Sequence, residues 1–144
     1  MRISAKGEYA IKAMVDLALH DGRDLSPIQE VAARQAIPQR YLEQVLLQLK
    51  RAGFLYARRG SAGGYRLSRP ADQITVGAVL RAVEGPPAGP AARPAGRGED
   101  AAGLHELWQE IAEAMASVVD RTTLEDLRQR ALERRRAAQP MYHI

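Results

Sequence analysis

The sequence predicts a mainly α-helical chain with one small β-hairpin and a long C-terminal helix, and three observations carry that expectation. Apolar residues recur at helical spacing in several separate stretches. One glycine-rich segment, RRGSAGGYRLSRP at 58–70, lies between two short strand-like runs. A Pro/Gly/Ala-rich stretch at 85–103 divides residues 1–84 from a second periodic region at 104–136, which a short tail at 137–144 follows. With 144 residues, 46% of them hydrophobic, the chain can bury one compact core but not several large ones.

In EYAIKAMVDLALH, Tyr9, Ile11, Met14, Leu17 and Ala18 fall at helical spacing, with Ser4 as a cap and Gly22 as a stop. SPIQEVAARQ begins with Ser26, Pro27 and Gln29, which match the N-cap, the first helical position and the reciprocal residue of a capping box. That predicts a short second helix. After the AIP break, PQRYLEQVLLQLKRAG predicts a third helix from Pro38 to a stop at Gly53, completing a helix-turn-helix. FLYARRG and GYRLSRP then read as two strands joined by SAGG. A helix-turn-helix followed at once by such a hairpin is a winged helix-turn-helix domain, whose third helix enters the major groove while the hairpin follows the flanking backbone.

Charge agrees with that reading without deciding it. Residues 1–80 hold 12 Lys/Arg against 7 Asp/Glu, whereas residues 81–144 hold 9 against 10, so the first half carries the whole surplus of the +4 net charge. A phosphate-binding module gives such a distribution, and so does an ordinary solvated surface. On the DNA reading, Arg58, Arg59 and Arg66 meet phosphates or the minor groove, and the glycines let the backbone approach DNA; the alternative is a plain glycine hairpin with solvated arginines. Gln39, Arg40, Glu43 and Gln44 form a polar face suited to base edges, although any exposed helix shows such a face. Tyr41, Leu42, Val45, Leu46 and Leu49 supply the packing.

Other chemistries are excluded or unsupported. The chain has no cysteine, which rules out disulfides, thiolate metal sites and cysteine nucleophiles. No nucleophile–base pairing, phosphate loop or His/carboxylate cluster at metal spacing is present, so an enzyme is not expected. No apolar run reaches the roughly 20 residues of a membrane span, and MRISAKGEYA lacks the apolar segment of a signal peptide. The expectation is a cytoplasmic protein with no membrane partner.

MRISAKGEYAIKAM, RYLEQVLLQLKRAGF, RRGSAGGYRLSRP and ITVGAVLRAVEGP, in this order and spacing, resemble the Rrf2 family of bacterial winged-helix transcription regulators. The resemblance covers nearly the whole chain. It implies a homodimer on a palindromic double-stranded operator, with Arg2, Ser4 and Lys6 near phosphates, Tyr41 and Glu43 on the recognition helix, and Arg59 in the wing. Ser61, Gly63, Gly64 and Tyr65 complete the candidate DNA-binding set. In the second region, Leu104, Leu107, Trp108, Ile111, Met115 and Val118 form an apolar stripe on one helical face, which needs a partner. It can fold back on its own domain; the resemblance implies instead a long dimerisation helix that crosses to a second subunit. TTLEDLRQRALERRR predicts a last helix capped by Thr122 or Thr123.

Many members of the family hold an iron–sulfur cluster through three cysteines in the loop that here reads GPPAGPAARPAGRGEDAAG, with a histidine just before an LW pair. This chain keeps His105 and lacks every thiolate, so no cofactor is expected and His105 reads as a helix-surface or cap residue. The loop itself, without hydrophobic period, is expected to be mobile. The tail Met141, Tyr142, His143 and Ile144 follows Pro140 and is expected to be extended. It either folds back, is simply tolerated, or binds a partner. The CymR-type cysteine-metabolism repressors of the family likewise lack the cluster cysteines and end in an aromatic residue followed by isoleucine. That likeness implies a repressor of cysteine or sulfur-assimilation genes, with O-acetylserine sulfhydrylase capturing the Ile144 carboxylate. The alternatives are a cluster-free regulator of other stress or nitrogen genes that senses a small ligand, and a protein-interaction module.

Overall fold

The computed structural model describes residues 3–22, 24–86 and 88–140. Arg2 and the tail residues Met141, Tyr142, His143 and Ile144 lie outside the described residues. The element order is α1 (Ala5–Leu19), α2 (Ile28–Gln35), α3 (Gln39–Arg51), β1 (Leu55–Arg58), β2 (Gly64–Leu67), α4 (Val76–Glu84), α5 (Ala101–Arg121) and α6 (Leu124–Ala138), with short 3-10 turns at Ala71–Gln73 and Pro90–Ala92. This is a mainly helical winged helix with a long C-terminal helix, as the periodicities predict.

α1 is the central post, and α2, α3, α4, β2 and α6 all pack on it. Its sequence explains this role: Ala10, Ala13, Met14, Leu17 and Ala18 are buried, so small residues admit neighbours closely while Met14 and Leu17 fill the gaps. α3 contributes Leu42, Val45, Leu46 and Leu49, all fully buried, as its apolar spacing requires. α4 adds Val79, Leu80 and Val83, and Leu124 at the start of α6 closes the core at 0% exposure.

The helix ends show where local signals hold and where tertiary pairing replaces them. Ser4 caps α1 as expected, its Oγ accepting from the Gly7 amide at 3.3 Å. Gly53, at φ 87°, follows α3 and turns the chain into β1. The expected cap of α2 does not form: Pro27 occupies the N-cap without a side-chain bond. Ser26 instead exchanges both backbone hydrogen bonds with Tyr65, each 2.9 Å, an isolated antiparallel bridge beside β2. α1 ends at Leu19, before Gly22, which carries φ 83° in the following turn. α5 begins at Ala101, earlier than the stripe at Leu104, because Ala101–Gly103 carry no apolar signal. Of the two threonines, Thr123 makes the capping box with Asp126, while the Thr122 hydroxyl donates to the Val118 carbonyl at 2.7 Å.

The chain between α5 and α6 is pinned to the segment before α4. The Val76 amide donates to the Thr122 carbonyl at 2.8 Å, and the Leu124 amide to the Ile74 carbonyl at 2.9 Å. Arg81 on α4 and Asp120 on α5 add a bidentate pair at 2.7 and 2.8 Å. α5 is therefore rooted on the winged helix at its C-terminal end.

Candidate DNA-binding interface

The two faces of α3 divide as its sequence does. Leu42, Val45, Leu46 and Leu49 point inward, and Gln39, Arg40, Tyr41, Glu43 and Gln44 are exposed. The ion pairs of the described residues lie elsewhere: Asp16 and Glu30 with Arg34, Arg81 with Asp120, Glu125 with Arg128. The polar groups of α3 thus stand ready for an external partner. Leu47, 42% exposed, continues the same face one turn beyond Glu43, an apolar member that the polar pattern did not flag. Tyr41 is held from below, its ring meeting the Tyr9 ring edge-on at a centroid distance of 5.2 Å.

The wing is a two-stranded antiparallel hairpin with Tyr56 opposite Arg66 and Arg58 opposite Gly64. Arg66 stacks over the Tyr56 ring at 4.5 Å, which places its guanidinium on one exposed face of the hairpin. Arg58 reaches across the tip to the Ala62 carbonyl at 3.3 Å. Arg59 and Ser61 are exposed at the tip. Tyr65 is half-buried and packs against the core, and its backbone is taken up by Ser26 and Ala57. Two of the wing glycines have an internal cause as well. A side chain at Gly63 would overlap the backbone of Arg58 and Arg59, and one at Gly64, φ 155°, would overlap the Ser26 carbonyl.

At the start of α1, Ser4 is already engaged. Its hydroxyl donates to Glu84 Oε1 at 2.6 Å and its amide donates to the same oxygen at 3.0 Å, tying α1 to the end of α4. Burial pushes the Glu84 carboxyl up, but the bonds from Ser4 and the Gly7 amide, together with the Lys6 charge, outweigh it and hold the group below its ordinary range. Lys6 itself is half-buried. A second anchor sets α2 against α1. Asp16, fully buried, accepts from Arg34 Nη2 at 2.8 Å, Arg34 Nε at 3.0 Å and Gln35 at 3.0 Å, and the bond to Asp16 is the main cause that raises the Arg34 pKa. Sequence reasoning passed over both anchors. Asp16 was detectable as a charge on an otherwise apolar face; Glu84 carried no local signal.

α5 leaves Leu104, Leu107, Ile111 and Val118 exposed by 44–50%, while Trp108 and Met115 are half-buried. His105, half-buried, lines a cleft at the start of α5 with Arg93, Arg97 and Trp108. Among the described residues no helix is long and apolar enough to cross a membrane.

Comparison with known proteins places this geometry. The profile of the Rrf2 family, described as iron-dependent transcriptional regulators, matches residues 3–130. The regulator IscR of Sodalis glossinidius (strain morsitans) is 38% identical over 131 residues, which cover 88% of this chain and 78% of that protein. The structure of CymR, the global cysteine regulator of B. subtilis, superposes with a TM-score of 0.78 at 35% identity, covering 90% of this chain and 97% of that one. T. potens IscR gives 0.79 at 30% identity, covering 99% and 94%. The residues present do not fit an iron centre: the chain has no thiolate, and no set of three His, Asp or Glu among the described residues can hold a metal. From its matched span and its winged-helix architecture, this chain belongs to the Rrf2 family of DNA-binding transcriptional regulators, which are not enzymes.

Proposed function

We propose that the protein is a homodimeric repressor that binds a palindromic operator, with α3 in the major groove and the hairpin tip on the flanking backbone. The observation that carries this is the exposed, unpaired polar face of α3 beside a wing whose Arg59 and Arg66 project outward. Gln39, Arg40, Glu43 and Gln44 read base edges, with Leu47 suited to a thymine methyl group. Lys6, Arg58, Arg59 and Ser61 meet phosphates and fix the register. Ser4 acts at one remove, since its hydroxyl holds the first turn of α1 to Glu84. The exposed stripe on α5 supports the dimer, because a monomer rarely exposes so long a row of Leu, Ile and Val.

The regulated genes are those of cysteine and sulfur supply. Two observations support this: the likeness to the B. subtilis cysteine regulator and the absence of every cysteine, which separates the chain from cluster-dependent chemistry. Sensing then passes through a partner, O-acetylserine sulfhydrylase, which takes the carboxylate of Ile144 into a site built for an amino-acid substrate. Footprinting of the full chain on the regions upstream of its own gene and of sulfur-assimilation genes tests the DNA reading. Two protected half-sites about one helical turn apart are expected. Equal affinity for those regions and for random DNA at physiological salt refutes it. Calorimetric titration into the sulfhydrylase, with and without Ile144, tests the partner: deletion should abolish binding, and equal binding by both forms discards it.

A further inference from the structure

Between α4 and α5 lies a cleft of about 510 Å³ that the DNA-binding reading leaves unused. Its walls are mostly apolar, from Leu80 and Pro86 on one side and Ala112 and Ala116, one turn apart on α5, on the other. The two alanines leave the space open where larger side chains would fill it. Two carboxylates line it, Glu84 from α4 and Glu113 from α5, and Arg81, the one cation among the described lining residues, is held by Asp120 in its bidentate pair. Lys6 lies near enough to act on Glu84 but does not line the cleft. The lining is thus mostly apolar with two carboxylates in it, Glu84 anchored by Ser4 and Glu113 with no hydrogen-bond partner among the described residues. We infer that this cleft binds a small organic cation, a primary amine with a compact apolar body.

Charge and shape both select that class. An anion would meet two carboxylates with no cation free to pair with it among the described lining residues, and a neutral apolar molecule would leave Glu113 partly desolvated without a partner. An amine brings an ammonium group to them while its body takes the apolar wall. The Glu84 group stays ionised at neutral pH, held so by the Ser4 and Gly7 donors. A second copy of the chain does not account for the cleft. At about 100° per residue, Glu113 and Ala116 lie roughly 150° around α5 from the stripe of Leu104, Leu107, Ile111 and Val118, and Ala112 roughly 110°. A dimer built on the stripe leaves the cleft open.

Occupancy also has a route to the DNA-binding face, a step that rests on the operator reading above. Glu84 is the acceptor that holds the first turn of α1 through Ser4, so an ammonium group drawn to that carboxylate competes for the charge that positions α1. The site itself is tested without DNA. The full-length protein is titrated calorimetrically with benzylamine, benzyl alcohol and benzoate, and the alanine methyl signals are followed by NMR in the wild-type protein. Benzylamine should bind one per chain and at least tenfold more tightly than benzyl alcohol, benzoate should not bind, and shifts should centre on Ala112 and Ala116 and on Ala88, which also lines the cleft. Glu113→Gln should weaken benzylamine several-fold, and Ala116→Leu at least tenfold. Equal affinity for amine and alcohol, no benzylamine binding, shifts centred elsewhere, or protection of these alanines by a second copy would each overturn the proposal. Operator affinity with and without benzylamine is read separately, so loss of the DNA reading leaves the calorimetric result intact.

Discussion

The link between Ser4 and Glu84 joins residues 80 positions apart and makes a quantitative prediction. Ser4→Ala removes the cap to Gly7, about 1 kcal/mol, and a charge-assisted hydroxyl–carboxylate bond of about 1.5–3 kcal/mol. Both groups are half-buried, so the lower end applies and a total loss of about 2–3 kcal/mol is expected. Glu84→Ala removes the same hydroxyl bond together with the bond from the Ser4 amide. Only the hydroxyl bond is common to both variants, so a double-mutant cycle from urea unfolding should return a coupling of about 1.5 kcal/mol at pH 7. The sign of its pH dependence follows from the direction of the shift. The folded-state pKa of Glu84 lies below its unfolded value, so the contribution is complete above the unfolded value and is lost as pH falls through the folded one. The coupling should therefore persist at pH 5–8 and fade below the ordinary carboxylate range. Additive single variants at pH 7, or a coupling that grows in acid, would refute the anchoring role.

Three further outcomes are expected. Arg59→Ala should weaken binding to operator and random DNA alike and reduce the slope of log K against log salt by about 0.9, measured by fluorescence anisotropy; Glu43→Ala in the same assay should instead cost about 1–3 kcal/mol of discrimination between them. Ile111→Asp, at the centre of the exposed α5 stripe, should give a folded monomer in sedimentation analysis at micromolar concentration, and an unchanged dimer would place the interface elsewhere. Ala36, which ends α2 at φ 53° as a non-glycine residue, should gain about 0.5–1 kcal/mol on replacement by glycine, the relief of left-handed strain exceeding the added chain entropy; a loss in thermal unfolding would contradict that.

What the sequence disclosed and what it hid divide along the range of the interactions. The buried set of α3 and the cap at Ser4 were legible because both depend on residues within one or two turns. The same holds for the exposed stripe of α5, whose 3.6-residue period is local even though its partner is not. Ser26 misled for the opposite reason. Its place before Pro27 is a good cap locally, but a pair of backbone bonds to Tyr65, distant in sequence, fixes it in an extended conformation. The internal constraint on the wing glycines was hidden for the same reason, since the crowding at Gly64 comes from that same Ser26 carbonyl. At the candidate DNA interface, the polar residues of α3 and the arginines could be named from spacing. That Ser4 spends its hydroxyl on Glu84 could not, because no local pattern relates the two.

The backbone bonds that tie Thr122 to Val76 and Leu124 to Ile74 have a further consequence. They depend on no side-chain identity, so the angle at which α5 departs from the winged helix is insulated from sequence drift along the arm. On the proposed dimer, the residues that choose a mate and the bonds that set the arm's direction are therefore separately mutable. A duplicated gene can diverge along the α5 stripe until its product no longer mixes with its sibling, and still present its reading helix in the same attitude. Insulation of this kind would keep two such proposed dimers distinct in pairing yet alike in the spacing of the sites they occupy.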